Sequence, residues 1–525
     1  MSLSQQMRIG EALKSAAHQD PKKVAIVHQD EQVTYQELLQ RSYHLAGWLQ
    51  ENGIGRDDKV GYLFKNGMRF VEIYFGVSLT GGVNVPINFR LAPNEMTYII
   101  NHADIKILIV DQEYVDVIQS IRSDLPQVER FIVAGSEQDV TVNAMLHYES
   151  IYDAPAHYQE DERLSDEDAH MIIYTSGTTG RPKGAVLTHK NIMMNALIRL
   201  SQLKRDTNSR VLVVAPLFHL AALSSLIYNC LQAGTAFIHR DFQPVSILET
   251  IQNEKINSMM LVPSMWNFLF QVPNLSDYDL RSMIRCTTGG AICPLELKKR
   301  ILDVFPNAEI FESFGQTEMS PSTTSLLPED ALRKIASVGK PVMTLRVRVV
   351  DDTMNDVPIG DVGEIIYQGP TMLKEYYKQP EATQEAMRGG WFHSGDLVRM
   401  DEEGFVYIVD RKKDMIISGG ENIYPAEIEE VLYTHPDILE AAVIGVPDPE
   451  WGESVKACVV LKPGRLLTQE QVIDYIRNSL ASYKKPRYVE FLEALPRNAA
   501  GKVLKTILRE LQKKTTCQRR DMRNQ

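Results

Sequence analysis

Cysteine is scarce in this chain and never clustered. Five cysteines (Cys230, Cys286, Cys293, Cys458 and Cys517) are scattered over 525 residues, with no C-x-x-C pair. An odd, widely spaced set excludes a disulfide scaffold and a zinc site, and fits reduced thiols in a cytosolic protein. A basic excess is missing too. Lys and Arg number 56 against 68 Asp and Glu, a net charge of −12, the wrong sign for a nucleic-acid binder. No apolar run is long enough to cross a bilayer, and Met1–Gln6 lacks the apolar core of a signal peptide. A cytoplasmic protein is expected. Internal repeats and low-complexity stretches are absent as well.

What is there is an ordinary globular composition, 44% hydrophobic and 24% charged, in a chain long enough for more than one domain. Thr34 and Glu37 form a capping box ahead of Tyr35, Leu38, Leu39, Ala46 and Leu49, the period of an amphipathic helix that Gly53 ends. From Met171 onward, short apolar runs at 171–174, 211–215, 236–238, 259–262, 284–288 and 309–312 alternate with helical patterns. Such alternation predicts an α/β fold with a largely parallel sheet, whose ligands sit beyond the carboxyl ends of the strands. Near Asp410 the pattern changes at a charged break, Asp410-Arg411-Lys412-Lys413-Asp414. We expect a large domain over 1–409 and a small α+β domain over 414–525, with the boundary at the break 410–413. The small domain includes a helix capped by Thr468 and Gln471.

One stretch organises the rest: Tyr174-Thr175-Ser176-Gly177-Thr178-Thr179-Gly180-Arg181-Pro182-Lys183-Gly184. The strand-like run Met171–Tyr174 enters it, and a helical pattern beginning near Thr188 follows. Glycines expose backbone N–H groups, hydroxyls add donors, and Lys183 adds a point charge, which together make a phosphate cradle. It is not a Walker A loop, because Gly177 and Gly180 stand too close and Lys183 precedes Gly184.

This loop resembles the signature of the adenylate-forming superfamily of acyl- and aryl-CoA synthetases, amino-acid-adenylating domains and beetle luciferases. The resemblance implies that Thr175, Ser176, Gly177, Thr178, Thr179 and Lys183 hold the β- and γ-phosphates of ATP. Further family motifs follow in order. Thr287-Thr288-Gly289-Gly290-Ala291 resembles the adenine-binding turn, with Gly289, Gly290 and Ala291 against the base. In Glu312-Ser313-Phe314-Gly315-Gln316-Thr317-Glu318, Phe314 offers a flat face to the purine, Thr317 a donor to phosphate, and Glu318 a hard oxygen ligand for Mg²⁺. The family usually has Tyr where Phe314 stands, so the ring is kept and the hydroxyl lost. Asp396 and Arg411 match the ribose-binding motifs. His219 stands at a position that gates the acyl pocket, where amino-acid-adenylating relatives carry Asp. Ser418-Gly419-Gly420-Glu421-Asn422 matches the loop lining the pantetheine path of CoA, with Gly419 and Gly420 at its turn. Lys502, in Pro496-Arg497-Asn498-Ala499-Ala500-Gly501-Lys502, matches the adenylation lysine.

The resemblance therefore implies a two-domain acyl-CoA synthetase that uses ATP, Mg²⁺ and CoA. Its catalytic residues would be Lys502, Glu318, Thr317 and His219, and its small domain would rotate about Lys413 between half-reactions. Leu373–Tyr377 and Asp414–Asn422 look closest to bacterial fatty-acyl-CoA synthetases, so a medium- or long-chain fatty acid is the expected substrate. The alternatives are an aryl or succinylbenzoate acid, or a nucleotide-binding relative without turnover. No carrier domain is expected after Lys502. The tail beyond Leu511, rich in Lys and Arg, is read as a solvated end able to touch an anionic membrane surface weakly.

Overall fold

The computed structural model describes residues 7–135, 145–175, 181–204, 206–419, 421–497 and 503–512. The chain divides into two compact units. The first comprises Met1–Val347, Tyr367–Phe392 and Gly404–Val406; the second comprises Arg348–Ile366, His393–Glu403 and Tyr407–Gln525.

Short Val/Ile/Leu-rich runs, buried on both faces, set the first unit's architecture. One run of strands has the order Ser337–Pro341, Ser322–Leu326, Glu309–Gly315, Arg285–Gly289, Ser258–Leu261, Arg210–Val213, Thr235–Ile238, Val24–His28 and Glu31–Thr34. From Glu309–Gly315 to Val24–His28 all neighbours pair parallel, and antiparallel strands flank them. A second sheet has the order Glu375–Tyr376, Lys183–Thr188, Ala169–Thr175, Val83–Pro86, Lys59–Leu63, Ile105–Asp111, Arg130–Ala134 and Leu146–His147. The α/β expectation is met, and the Thr34–Glu37 capping box opens a helix over Tyr35–Glu51.

The elements that carry the candidate site are labelled in chain order: β1 (Ala169–Thr175), β2 (Lys183–Thr188), α1 (His189–Leu203), β3 (Arg210–Val213), α2 (Leu220–Leu231), β4 (Arg285–Gly289), α3 (Leu295–Val304) and β5 (Glu309–Gly315). One sequence expectation needs correction. The glycine-rich stretch does not lead straight into a helix; β1 and β2 pair antiparallel, with Thr175 opposite Lys183. The reason lies in Gly184-Ala185-Val186-Leu187, which is buried and bonded on both edges, to β1 and to Glu375–Tyr376. Only then does Thr188, boxed with Asn191, cap α1.

Below β5 lies a buried ion pair. Lys298 on α3 is 0% exposed and bonds the Glu312 carboxylate, which is 5% exposed. The Lys298 ammonium also donates to the Ala331 carbonyl at 3.2 Å. Burial pushes the Glu312 pKa up and Lys298 opposes that push. Lys298→Met removes one partner and strands a buried carboxylate, so we expect a loss of ~3–5 kcal/mol in unfolding free energy. Denaturant titration checks this; a change below ~1 kcal/mol would contradict it.

The second unit includes a five-stranded sheet of Ile416–Ser418, Glu421–Ile423, Ile438–Asp448, Gly452–Leu461 and Tyr488–Phe491. Ile428 and Leu432 from the helix Pro425–Tyr433, with Val472 and Ile476 from Gln469–Arg477, pack into its core against Val443 and Val459. The Thr468–Gln471 capping box is present. Among the described residues no helix is long and apolar enough to cross a membrane.

Candidate active site

The antiparallel pairing of β1 and β2 places Thr175 and Lys183 side by side where the hairpin opens. The short helix after β5, Thr317–Met319, brings Glu318 to the same place. Glu318 Oε1 lies 3.5 Å from Thr175 Oγ1 and accepts a hydrogen bond from the Tyr376 hydroxyl at 2.9 Å. The Lys183 ammonium sits 5.0 Å from the centre of the Tyr376 ring. One phenol therefore touches both the anion and the cation of the cluster. Burial and the neighbouring Glu318 hold the Tyr376 pKa well above the usual phenol range, so it stays a donor.

Backbone bonds fix this arrangement. Leu373 N–H donates to the Glu318 carbonyl at 2.7 Å, while Lys374 and Tyr377 N–H donate to Val186 and Gly184 on β2, each at 2.8 Å. Thr317 is half-buried on the Glu318 helix. Among the described residues no group of three or more His, Cys, Asp or Glu could hold a metal ion. A lone carboxylate with nearby hydroxyls still fits Mg²⁺, which takes the rest of its shell from water and phosphate oxygens.

Parallel pairing joins the next two motifs. Gly289 stands opposite Ser313, so Phe314 neighbours the Gly289-Gly290-Ala291 turn. A Cβ on Gly289 would lie 2.8 Å from the Ser313 carbonyl oxygen, and Gly290 has φ +78°. Each glycine thus has a backbone reason to be there.

His219 follows β3 and precedes α2. Its ring stacks near Phe218 (4.3 Å between centroids), which meets Phe89 edge-on at 5.3 Å. Burial, aided by Arg90, pulls the His219 pKa down to about 4, so the imidazole is neutral at pH 7. Its unfolded value is near 6.5. The stability linked to its neutral form is complete above pH 6.5 and is lost as pH falls toward 4. His189, pulled to about 3 by burial and by Arg8, acts in the same direction. The melting temperature is expected to fall between pH 6.5 and 4, and to fall less steeply in His219→Gln. Equal slopes for both proteins would refute the assignment.

The remaining described candidates belong to the second unit. Asp396 is 3% exposed, and its Oδ1 lies 2.6 Å from Arg411 Nε. Asp410 accepts from the Ala426 N–H at 2.8 Å, where the helix Pro425–Tyr433 begins. Gly419 has φ +59°, and a Cβ there would meet the Trp451 ring at 2.5 Å. Ser176, Gly177, Thr178, Thr179, Gly420 and Lys502 lie outside the described residues.

The structure thus brings Thr175, Lys183 and Glu318 together, and sets Phe314 beside the Gly289 turn. Sequence reasoning assigned no role to Tyr376. Leu373–Tyr377 carries only a family likeness, and no local signal shows that Glu375–Tyr376 pairs with β2.

Comparison with known proteins settles the family. The family model for AMP-binding enzyme matches residues 13–377, and that for the AMP-binding enzyme C-terminal domain matches 427–502. The chain belongs to the AMP-binding enzyme family. Among this family's members, a feruloyl-CoA synthase of an Amycolatopsis species is 37% identical over 490 residues, covering 93% of this chain and 96% of that protein. The long-chain-fatty-acid–CoA ligase FadD13 of Mycobacterium tuberculosis is 36% identical over 507 residues, covering 96% and 98%. The solved o-succinylbenzoate coenzyme A synthetase of Bacillus subtilis, in complex with ATP and magnesium ion, superposes with a TM-score of 0.83 at 28% identity, covering 94% and 98%. This member of the family is an AMP-forming acid–CoA ligase that works through an acyl-adenylate.

Proposed function

We propose that this chain activates an organic acid with an apolar body and transfers it to CoA, binding the ATP phosphates at the Thr175–Lys183–Glu318 cluster. That cluster is the observation that carries the reading: an acid, a base and hydroxyls converge at the end of the β1–β2 pairing. The substrate carboxylate attacks the α-phosphorus, giving acyl-AMP and pyrophosphate. CoA thiol then attacks the acyl carbon and releases AMP. Neither step needs a side-chain nucleophile, so catalysis is positioning and charge neutralisation. When bound, Mg²⁺ supplies neutralisation of the pyrophosphate charge. Lys183 adds a fixed positive charge, and Thr317 and Thr175 orient phosphate oxygens. Lys502 completes the set at the α-phosphate, Gly289 to Ala291 and Phe314 take adenine, and Asp396 with Arg411 takes ribose. Gly419 and Gly420 line the pantetheine path. The four cysteines among the described residues are buried and free, which fits a cytoplasmic setting.

For the acid, the resemblance supports a medium- or long-chain alkyl group. A second reading, an aryl or succinylbenzoate-type acid, is favoured by the rings of Phe89, Phe218 and His219, since flat faces suit a flat substrate. Pyrophosphate release with ATP and Mg²⁺, across acids from acetate to palmitate and substituted benzoates, tests both, with thioester formation followed in parallel. A peak at one class supports the reading. Silence with every acid, alongside tight ATP binding, would favour a non-catalytic binder.

The domain boundary belongs to this reading: 1–409, a hinge at 410–413, and 414–525. Lys413→Pro locks φ at the hinge, so it is expected to slow thioester formation at least tenfold more than acyl-AMP formation. Equal loss in both half-reactions would sink the hinge.

A further inference from the structure

A buried charge on α1 has no opposite partner among the described residues. Arg199 is 5% exposed. Its polar partners among the described residues are neutral: Nη1 donates to Gln202 Oε1 at 3.1 Å, and Nη2 to Thr287 Oγ1 at 3.5 Å. One turn earlier on the same face, Asn195 is 0% exposed, and neither its amide oxygen nor its amide nitrogen has a partner. Tyr228 on α2 acts on the guanidinium electrostatically. A cation and an amide left this way are unfavourable unless something pairs with them.

Their place in the fold says what that something is. Thr287 and Thr288 form the carboxyl end of β4, just before the Gly289 turn. Ligands of parallel sheets bind beyond such ends. Helix α1 packs on α2, and α2 begins directly after His219, which the family resemblance sets at the gate of the acyl pocket. Tyr228 stands nine residues beyond His219, about 13 Å along the axis at the helical rise. Tyr228, which acts on Arg199, sets the polar pair beside the inner half of α2. A guanidinium fork with an amide donor beside it matches a carboxylate, which neutralises the charge and accepts from both. An alkyl end would leave the guanidinium with neutral partners alone and the Asn195 amide unpaired.

We infer that the preferred acid carries a second carboxylate, remote from the reacting one, held by Arg199 and Asn195. This rests on the proposed acid–CoA ligase function and selects the substrate within it, for an alkyl or an aryl body alike.

Matched pairs test it: alkanoates of six to fourteen carbons against the α,ω-dicarboxylates of the same length, and cinnamate against 4-carboxycinnamate. The readout is kcat/KM for pyrophosphate release. In at least one pair the dicarboxylate is expected to exceed its partner by about tenfold or more, the scale of one charge-assisted hydrogen bond. Arg199→Met should raise KM for that dicarboxylate about tenfold or more with little change in kcat, bringing the two acids within about threefold of each other. Arg199→Lys should retain part of the preference. Should Arg199→Met fail to fold, the thermal shift of the wild-type protein decides: stabilisation by the dicarboxylate alone supports the inference, and equal stabilisation overturns it. Preference for the monocarboxylate in every pair, or an equal loss for both acids in Arg199→Met, also overturns it. No turnover with any acid would overturn the proposed function instead.

Discussion

Glu318→Gln is expected to slow pyrophosphate release by about 10²–10³-fold and to raise the Mg²⁺ concentration needed for half-maximal rate. The substitution keeps the shape of the side chain. A Gln oxygen can still accept from the Tyr376 hydroxyl, now 2.9 Å from Glu318 Oε1, so the short helix Thr317–Met319 should stay in place. What is lost is a full negative charge beside the Thr175 hydroxyl and the Tyr376 phenol, whose ring the Lys183 ammonium faces. Tyr376→Phe is the milder companion. It removes one hydrogen bond to a charged group, worth about 1.5–3 kcal/mol, and leaves the carboxylate free to swing. Its Mg²⁺ dependence should shift in the same direction by a smaller amount. Pyrophosphate release measured against Mg²⁺ concentration separates the effects. A Glu318→Gln enzyme with a lower rate but an unchanged Mg²⁺ midpoint would remove the metal role from this residue.

Lys502→Met should suppress acyl-AMP formation by about 10²–10³-fold while sparing thioester formation from supplied acyl-AMP. The reasoning is electrostatic. In the first half-reaction two anions, the substrate carboxylate and the α-phosphate, are brought together, and a point charge between them lowers that barrier. In the second, a thiol attacks an acyl carbon and AMP leaves, with no new anion–anion approach at the phosphorus. The check is a pair of assays on one preparation, pyrophosphate release from acid and ATP, and CoA thioester from synthetic acyl-AMP. Equal loss in both would mean that Lys502 supports the fold or serves both steps.

Much of the fold was legible before the structure, for local reasons. The runs at 211–215, 236–238, 259–262, 284–288 and 309–312 are short, apolar and separated by helical patterns, and each falls on an observed strand with shifts of a few residues at its ends. Thr34–Glu37 and Thr468–Gln471 announce helix starts through side chains that bond only neighbours in sequence. Lys183–Thr188 was missed because a run of four apolar residues before Thr188 reads equally well as the approach to a helix. Only its two pairing partners, distant in sequence, decide the matter.

The candidate site follows the same division. Thr175, Lys183 and Glu318 belong to motifs whose residues carry their chemistry on their face, and they do meet. Tyr376 enters through the pairing of Glu375–Tyr376 with β2. Asn195 and Arg199 sit mid-helix in an unremarkable pattern, and only burial marks them, of an amide without partners and of a guanidinium with neutral ones. Glu312 shows the converse: it stands inside a motif, yet its carboxylate turns to Lys298 beneath the strand. Motif membership alone does not say which way a side chain faces.

The central claim, activation through an acyl-adenylate, is tested most directly by isotope transfer. The acid is supplied with ¹⁸O in its carboxylate, together with ATP, Mg²⁺ and CoA, and the nucleotide product is analysed by mass spectrometry. Attack of the carboxylate on the α-phosphorus followed by thiolysis leaves one acid-derived oxygen on AMP, so AMP carrying a single ¹⁸O is the expected result. Unlabelled AMP, or ADP and labelled phosphate in its place, would contradict the account.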